Sequence, residues 1–278
     1  MIDIKQALRH ASDILIQTST DAKFEAEILL AHVLNRSNAF LYTYPEKIID
    51  RGQYHNYQEL LIKRSAGYPI AYLLGQREFW SLPLSVHADT LIPRPETELL
   101  VELALELCKD LITASVLDLG TGSGAIALAI AHERTAWHVL ACDISKAAIK
   151  IAQHNSLKLA ISNIDILHSD WFLSISGLKF NIITSNPPYI AANDPHLQQG
   201  DLRFEPQIAL IGGTDGLRSL THIIKHACDY MLPGGLLLLE HGSLQKHAVG
   251  ALLHQYGYNK VHCWQDLQGH DRVSGGWR

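Results

Sequence analysis

The chain has 278 residues, of which 47% are hydrophobic and 18% are charged, a composition typical of soluble globular proteins. That length accommodates one large domain or two ordinary domains. The formal net charge of −5 argues against broad binding to nucleic acid or to anionic membranes. The first residues lack the apolar region of a signal peptide, and the apolar runs are too short or too broken by Asp and Gly to span a membrane.

Cysteine and histidine spacing does not predict a metal site. The four cysteines are far apart and form no Cys-x-x-Cys pair, which favours reduced thiols in a cytoplasmic protein. His222 and His226 are four residues apart on a predicted helix, but Ile223 follows the first of them and no third ligand is nearby. We therefore expect no bound metal.

The first part of the chain has the periodicity of helices and no strand alternation. Apolar residues recur at helical spacing over residues 4–15 and 24–34, and Asp21 is the expected N-cap of the second helix. A third helix is predicted over residues 57–64. We interpret residues 1–70 as a small all-helical domain.

A short linker with strand character follows the helices. Residues 71–74 and 78–86 have the pattern of short strands, and Gly75 lies between them at the expected turn. We therefore interpret residues 71–97 as a β-hairpin linker.

From Glu98 onward, strand-like runs alternate with helical runs, which predicts βαβ units and a mostly parallel sheet. Seven strands with helices between them predict an α/β, doubly wound, Rossmann-like domain over residues 98–278. Residues 190–213 form a long loop, which is usually functional inside a compact domain. The predicted strands are residues 115–119, 138–143, 165–168, 180–185, 235–240, 258–263 and 272–275, and the predicted helices are residues 125–133, 146–157, 216–231 and 244–256.

A glycine-rich loop follows the first strand of this domain. The sequence Gly120-Thr121-Gly122-Ser123-Gly124 opens a helix, and its glycines allow the backbone to approach a ligand closely. The spacing is Gly-x-Gly-x-Gly, whereas the dinucleotide fingerprint requires Gly-x-Gly-x-x-Gly. Asp118, which lies just before the loop, is a candidate partner for a cationic amino group.

Acidic and aromatic residues follow the next two strands. Asp143 ends the second strand, where a carboxylate is suited to the two hydroxyls of a ribose. Asp170 and Trp171 follow the third strand, and a carboxylate beside an indole suits the amino group and ring face of adenine. Taken singly, such residues serve as turns, helix caps or core, so the prediction depends on their order. That order indicates S-adenosylmethionine rather than NAD.

The sequence Asn186-Pro187-Pro188-Tyr189 directly follows the strand predicted over residues 180–185. The two prolines end the strand, and the residue before a proline is held extended, which places Asn186 at the carboxyl edge of the sheet. Ligands bind at that edge in open α/β sheets. An amide, a rigid turn and an aromatic ring at that edge favour binding of a planar NH2 group, although such a tetrapeptide alone also fits an ordinary turn.

Together these motifs resemble those of class I S-adenosylmethionine-dependent methyltransferases of the Asn-Pro-Pro-Tyr type. Further motifs are similar to the HemK-type release factor glutamine methyltransferases, and the resemblance covers essentially the whole chain. Ser81 is a departure, since the family often has glycine there, and it affects local turn geometry. The further motifs lie at residues 69–75, 78–79, 91–98, 203–206, 212–217, 239–242 and 266–273.

The resemblance implies methyl transfer to the side-chain amide of the glutamine in the Gly-Gly-Gln loop of class I peptide chain release factors, which gives N5-methylglutamine. The helical domain is then expected to bind the release factor elsewhere, the alternative being that it only covers apolar surface of the catalytic domain. Asn186, Pro187 and Tyr189 are the implied catalytic residues, and with Pro188 they bind the glutamine. The expected cofactor-binding residues, with Asp170 added for its position beside Trp171, are Gly120, Thr121, Gly122, Ser123, Gly124, Asp143, Asp170, Trp171 and Asn186.

Three other functions are compatible with parts of the sequence. An adenine-N6 DNA methyltransferase also binds a planar NH2 group, but the acidic net charge and the lack of a sizeable basic segment argue against it. A ribosomal-protein glutamine methyltransferase shares the tetrapeptide, whereas the linker and C-terminal motifs favour a release factor substrate. A non-catalytic S-adenosylmethionine-binding adaptor is disfavoured by the intact tetrapeptide.

Overall fold

The computed structural model describes residues 2–278, and within them the chain divides into two compact units. The helical unit comprises the chain up to Gly75 together with Gln198–Phe204. The sheet unit comprises Gln76–Leu197 and Glu205–Arg278. None of the helices in residues 2–278 has the length and apolar character needed to cross a membrane.

The helical unit is built on side chains that lie on one face of each of its longer helices. Leu15, Leu29 and Tyr57 are among its fully buried residues, and the Tyr57 hydroxyl donates a 2.9 Å hydrogen bond to the carbonyl of Ala26. These contacts join the first, second and fourth helices into one core. The helices are α1 (Ile4–Leu15), α2 (Ala22–Leu34), α3 (Asn38–Thr43), α4 (Arg51–Ser65) and α5 (Ile70–Leu74).

The start of α2 differs from the prediction in one respect. Asp21 precedes the helix as expected, but its side chain makes no capping hydrogen bond. Its ψ of 32° lies outside the extended region from which an N-cap side chain reaches the first turn. A capping box forms instead at α1, where Asp3 accepts a 2.8 Å hydrogen bond from the backbone N–H of Gln6.

The prediction of a strand over residues 71–74 is wrong, because these residues belong to α5. Pro69, with φ of −58°, precedes the helix, and Gly75 ends it in the left-handed conformation with φ of 69°. Periodicity alone does not separate helix from strand in so short an apolar run.

A hairpin does follow α5, but its turn is not at Gly75. Strands β1 (Gln76–Phe79) and β2 (Leu82–Ser85) are antiparallel, and Trp80 and Ser81 form the two-residue turn between them. Both turn residues have positive φ, 51° and 59° respectively, as a type I′ turn requires. Glycine adopts positive φ without strain, so the glycine that the resemblance implies at residue 81 would suit this turn.

The sheet unit contains all seven predicted strands, with ends that differ by a few residues, and α6 is a helix that was not predicted. The strand order is β5-β4-β3-β6-β7-β9-β8, and only β9 is antiparallel to its neighbours. The predicted α/β doubly wound fold is confirmed. Its elements are α6 (Glu98–Leu107), β3 (Ser115–Leu119), α7 (Ala125–Glu133), β4 (His138–Asp143), α8 (Lys146–Lys158), β5 (Ile164–His168), β6 (Phe180–Ser185), α9 (Arg218–Ala227), β7 (Met231–Glu240), α10 (Lys246–Gln255), β8 (Asn259–Gln265) and β9 (Asp271–Trp277).

Alternate residues of each strand bury opposite faces of this sheet. In β7, Leu236 and Leu238 lie in the cluster that contains α6 and α7, whereas Leu237 and Leu239 lie in the cluster that contains α9 and α10. From β3 the chain continues to β4 on one side and returns to β6 on the other. The carboxyl ends of β3 and β6 therefore flank the point where an open α/β sheet binds its ligands.

The loop over residues 190–213 contains local structure. It includes three short 3-10 helices, at Pro195–Gln198, Gly200–Phe204 and Gln207–Ala209. The middle one belongs to the helical unit, where the ring of Phe204 packs edge-on against Tyr68 with 5.3 Å between centroids.

Candidate active site

A cavity of about 780 Å³ lies at the carboxyl ends of the central strands. Its size is in the range of sites for cofactors and other small molecules. Its wall joins residues that are far apart in sequence, and seven of the predicted site residues line it: Gly120, Gly122, Asp143, Asp170, Trp171, Asn186 and Pro188.

The other predicted site residues lie outside this wall. Thr121 and Ser123 are buried within the glycine-rich loop. A side chain on Gly124 would meet Leu128, so this glycine serves packing beneath the loop. Pro187 and Tyr189 flank a residue of the wall without lining it.

Asp118 also lies beneath the loop and does not line the cavity. Its side chain is fully buried, and the Thr184 hydroxyl donates a 3.0 Å hydrogen bond to its Oδ1. Burial raises the pKa of Asp118 to about 7, while the nearby Thr121 hydroxyl, the hydrogen bond from Thr184 and the nearby backbone N–H of Ala127 oppose that rise. The expected contact between Asp118 and a ligand amino group is therefore not supported, because the carboxyl group faces the first turn of α7.

Asp143 shapes the cavity from the end of β4. Its Oδ2 accepts a 2.9 Å hydrogen bond from the backbone N–H of Gly122, and its Oδ1 accepts one of 2.8 Å from that of Ser145. Burial raises the pKa of Asp143, and these backbone donors counteract the rise. Each oxygen keeps a second lone pair, so the carboxylate can accept hydroxyl donors while it fixes the loop.

Trp171 follows β5 and forms part of the same wall. Its φ of 47° is left-handed, and its carbonyl accepts a 2.8 Å hydrogen bond from the Ser169 hydroxyl. A Cβ on Gly120 would lie 3.8 Å from the indole ring, so loop and ring are close neighbours. The ring of His222 is another neighbour of the indole, with 6.3 Å between the two ring centroids.

The charge of the wall suits a cation. Only one Lys or Arg, Arg218, is among the lining residues, against four carboxylates. Such a wall disfavours the pyrophosphate of a dinucleotide and favours a ligand with a sulfonium and an amino group. The carboxylates are Asp89, Asp143, Asp170 and Asp229.

The segment after β6 is held from both sides. The Asn186 Nδ2 atom donates a 3.2 Å hydrogen bond to the hydroxyl of Thr97, which leaves its Oδ1 with no bond to the described part of the chain. The carbonyl of Tyr189 accepts a 3.1 Å hydrogen bond from Gln245. Gly216 is required beneath this segment, because a Cβ there would lie 2.2 Å from the Tyr189 carbonyl oxygen. The Pro187 carbonyl accepts no hydrogen bond from residues 2–278.

Comparisons with known proteins agree with this architecture. Residues 6–75 match the family model of the PrmC N-terminal domain, and residues 95–200 match that of the methyltransferase small domain. The release factor glutamine methyltransferase of Shewanella oneidensis is 46% identical over 98% of this chain and 95% of its own length. Those of Vibrio cholerae and Escherichia coli are 47% and 46% identical, over 98% and 93% of this chain and 96% and 93% of theirs. The chain belongs to the release factor glutamine methyltransferase family.

Solved structures support the fold of this family member. A methyltransferase from Pyrococcus furiosus is similar with a TM-score of 0.54 at 19% identity, over 80% of this chain and 97% of that one. A T. thermophilus 16S rRNA methyltransferase in complex with AdoMet and guanosine has a TM-score of 0.53 at 19% identity, over 73% of this chain and 49% of that one.

Sequence reasoning missed several residues of the site. The segment Asp89-Thr90-Leu91 lines the cavity. Residues 91–98 were identified from the sequence only as a motif similar to the family, and none of these three residues was predicted to line a ligand site. His222 lines the cavity beside Trp171. Within residues 2–278, no three His, Cys, Asp or Glu side chains are grouped closely enough to hold a metal ion. Thr97 gave no signal beyond its motif, since its contact with Asn186 spans 89 residues.

Proposed function

We propose that this member of the family transfers a methyl group from S-adenosylmethionine to the side-chain amide nitrogen of the glutamine in the Gly-Gly-Gln motif of peptide chain release factors. The product is N5-methylglutamine. Identity to release factor glutamine methyltransferases over nearly the whole chain supports the acceptor. The structural observation that carries the proposal is one cavity wall that contains both the glycine-rich loop and Asn186.

The residues present fit S-adenosylmethionine as the cofactor. Gly120 and Gly122 form a cradle with positive φ, and a Cβ on Gly122 would meet no atom within 4 Å, so the loop leaves open space above its backbone. Asp143 is proposed to bind the ribose hydroxyls, with Asp170 and Trp171 at the adenine, while Thr121, Ser123 and Gly124 fix the shape of the loop. The cofactor supplies an electrophilic methyl group on a sulfonium.

Asn186 is proposed to orient the substrate amide. Its Oδ1 and the carbonyl of Pro187 are both free to accept one N–H each from the glutamine NH2 group. Two acceptors on one amide hold the nitrogen in a fixed direction and favour its pyramidal geometry, which makes the lone pair available. They also stabilise the positive charge that develops on nitrogen as the new bond forms.

Pro188 and Tyr189 complete the proposed glutamine site. Pro188 lines the cavity beside Asn186, and the ring of Tyr189 is expected to pack against the plane of the bound amide. No strong general base is required: as the carbon–sulfur bond breaks and a neutral thioether leaves, the nitrogen becomes cationic, and this acidic nitrogen releases one proton to solvent.

The helical unit is proposed to bind class I release factors away from the glutamine loop, because a glutamine at a loop tip must be presented to a recessed site. Residues 6–75 match the PrmC N-terminal domain, which supports a role shared across the family. We further propose a cytoplasmic location, since release factors act on the ribosome, and no stable partner among nucleic acids or membranes.

The test is methylation of purified release factor followed by mass spectrometry of the Gly-Gly-Gln peptide, with ribosomal protein and DNA as alternative acceptors. Wild-type enzyme should increase the mass of the glutamine residue by that of one methylene group. Asn186→Ala should abolish turnover and leave cofactor affinity nearly unchanged, because its oxygen serves the acceptor. Near-normal single-turnover methylation by this variant would contradict the role of Asn186, and exclusive methylation of another acceptor would contradict the function.

A further inference from the structure

Both polar side chains of the Asn-Pro-Pro-Tyr segment are connected to one buried carboxyl group, that of Glu240 at the end of β7. The Tyr189 hydroxyl donates a 3.1 Å hydrogen bond to Glu240 Oε1. Asn186 Nδ2 donates a 3.2 Å hydrogen bond to the hydroxyl of Thr97, and this hydroxyl lies close enough to the Glu240 carboxyl to lower the pKa of that group. These residues come from three separate parts of the sheet unit.

Glu240 is an unusual residue for a merely structural position. It is fully buried, and its Oε2 has no partner in standard hydrogen-bonding geometry within the described chain. Burial raises the pKa of Glu240 to about 7, and Thr97, Tyr189 and the positive charge of Arg272 oppose the rise. A buried carboxyl group destabilises a fold unless it is paired. A carboxyl group kept in the protein interior next to Tyr189 therefore suggests a function beyond stability.

Arg272 provides the balancing charge and is itself held in place. Its Nε donates a 3.2 Å hydrogen bond to Asp266. Burial acts to lower the pKa of Arg272, but the neighbouring Tyr189, Glu240 and Asp266 raise it overall. The network therefore joins three motifs of the chain, residues 91–98, 239–242 and 266–273, behind the tetrapeptide.

We propose that Thr97 and Glu240 are positioning residues that fix the orientation of the Asn186 side chain; this inference rests on the proposed glutamine methylation. A carboxylate at Glu240 attracts the proton of the neighbouring Thr97 hydroxyl, which favours the rotamer in which the Thr97 oxygen accepts from Asn186. The Nδ2 atom then points to Thr97, and Oδ1 points away from it as an acceptor for the substrate NH2 group. Without this network, the amide of Asn186 is free to flip and to present a donor instead.

The test compares Thr97→Val, which keeps the shape and removes the hydroxyl, with Thr97→Ser, which keeps the hydroxyl. Thr97→Val should lower kcat roughly 10- to 100-fold, the cost of a misaligned reacting group, with S-adenosylmethionine affinity unchanged. Thr97→Ser should recover most of that rate. Thr221→Val in α9 is the matched control for loss of a threonine hydroxyl outside the network, and it should retain wild-type kcat.

The pH dependence of kcat at saturating cofactor gives a second measurement on stable protein. Protonation of Glu240 makes it a donor to Thr97, so wild-type kcat should fall as pH decreases through about 7. Glu240→Gln should lower kcat and abolish this step. The charged and titratable groups that face Glu240 are Glu96, Tyr189 and Arg272; the arginine stays charged and the buried tyrosine stays neutral across this range.

The outcomes separate this inference from the proposed function. The positioning role is wrong if Thr97→Val retains wild-type kcat. It is also wrong if both Thr97 variants lose kcat and cofactor affinity equally. Neither result contradicts methylation of release factor by the wild-type enzyme. If Thr97→Val does not fold, an unchanged pH step in Glu240→Gln overturns the inference. If the wild-type enzyme does not methylate release factor, the proposed function itself fails.

Discussion

Gly124→Ala should destabilise the sheet unit through a contact that can be defined atom by atom. Gly124 precedes α7 with φ of 88°, and a Cβ there would lie 2.9 Å from Leu128 Cδ1 and 3.3 Å from Ala152 Cβ. Leu128 and Ala152 are both fully buried, so neither can move into solvent. A substitution must therefore shift packed side chains as well as strain the backbone.

The size of the loss follows from these two causes. A non-glycine residue in the left-handed region costs about 1–2 kcal/mol, and overpacking a core costs about 1–3 kcal/mol. Gly124→Ala should thus lower the free energy of unfolding by about 2–5 kcal/mol. For a unit of this size each kcal/mol corresponds to roughly 2–4 °C in melting temperature.

Gly177→Ala is the matched control. Gly177 has a similar φ of 82°, but a Cβ there would meet no atom within 4 Å. It should show only the backbone cost of about 1–2 kcal/mol. Thermal unfolding followed by circular dichroism on both variants measures the difference. Equal melting temperatures would refute the argument that Leu128 and Ala152 require glycine at residue 124.

Two further predictions concern the carboxylates near the cofactor site. Asp143→Asn should weaken S-adenosylmethionine binding at least tenfold in calorimetry. The substitution replaces one acceptor oxygen by an NH2 donor, which cannot accept the hydrogen bond from the Gly122 N–H. If the variant binds the cofactor with wild-type affinity, Asp143 does not bind the ribose. Asp118→Asn should reduce the dependence of stability on pH, because burial raises the pKa of Asp118 to about 7. The folded state therefore favours its protonated form, and the wild type loses that stabilisation as pH rises from about 4 to 7. Urea unfolding at several pH values measures the slope, and an unchanged slope in the variant would contradict this assignment.

The central strands β3, β4 and β6 were predictable because they are buried on both faces and are mostly apolar, as in Phe180–Ser185. The helix Glu98–Leu107 was not predicted, although its buried residues recur at helical spacing. Glu98 was interpreted only as the start of the second domain. The five-residue helix Ile70–Leu74 is too short for periodicity to identify.

The cavity wall was predictable where a local motif follows a strand, as at Gly120, Asp143 and Asn186. The supporting residues were not, because they meet only in the folded chain. Tyr189 and Glu240 are 51 residues apart in sequence, and Thr97 and Asn186 are 89 apart. Likewise, Arg94 and Glu205 form an ion pair whose carboxylate side chain is fully buried, and it connects two motifs that sequence similarity had identified separately.

The segment Gln198–Phe204 has a consequence for chimeric enzymes. It belongs to the helical unit, although the residues on both sides of it belong to the sheet unit. Within the helical unit its Arg203 lies against Gly67, where an added Cβ would come within 2.4 Å of the guanidinium, and Asp201 lies 4.0 Å from Arg64. Exchanging the helical unit between two homologues at Gly75 alone would therefore leave a foreign seven-residue insert inside it, and a functional exchange must transplant both stretches of chain.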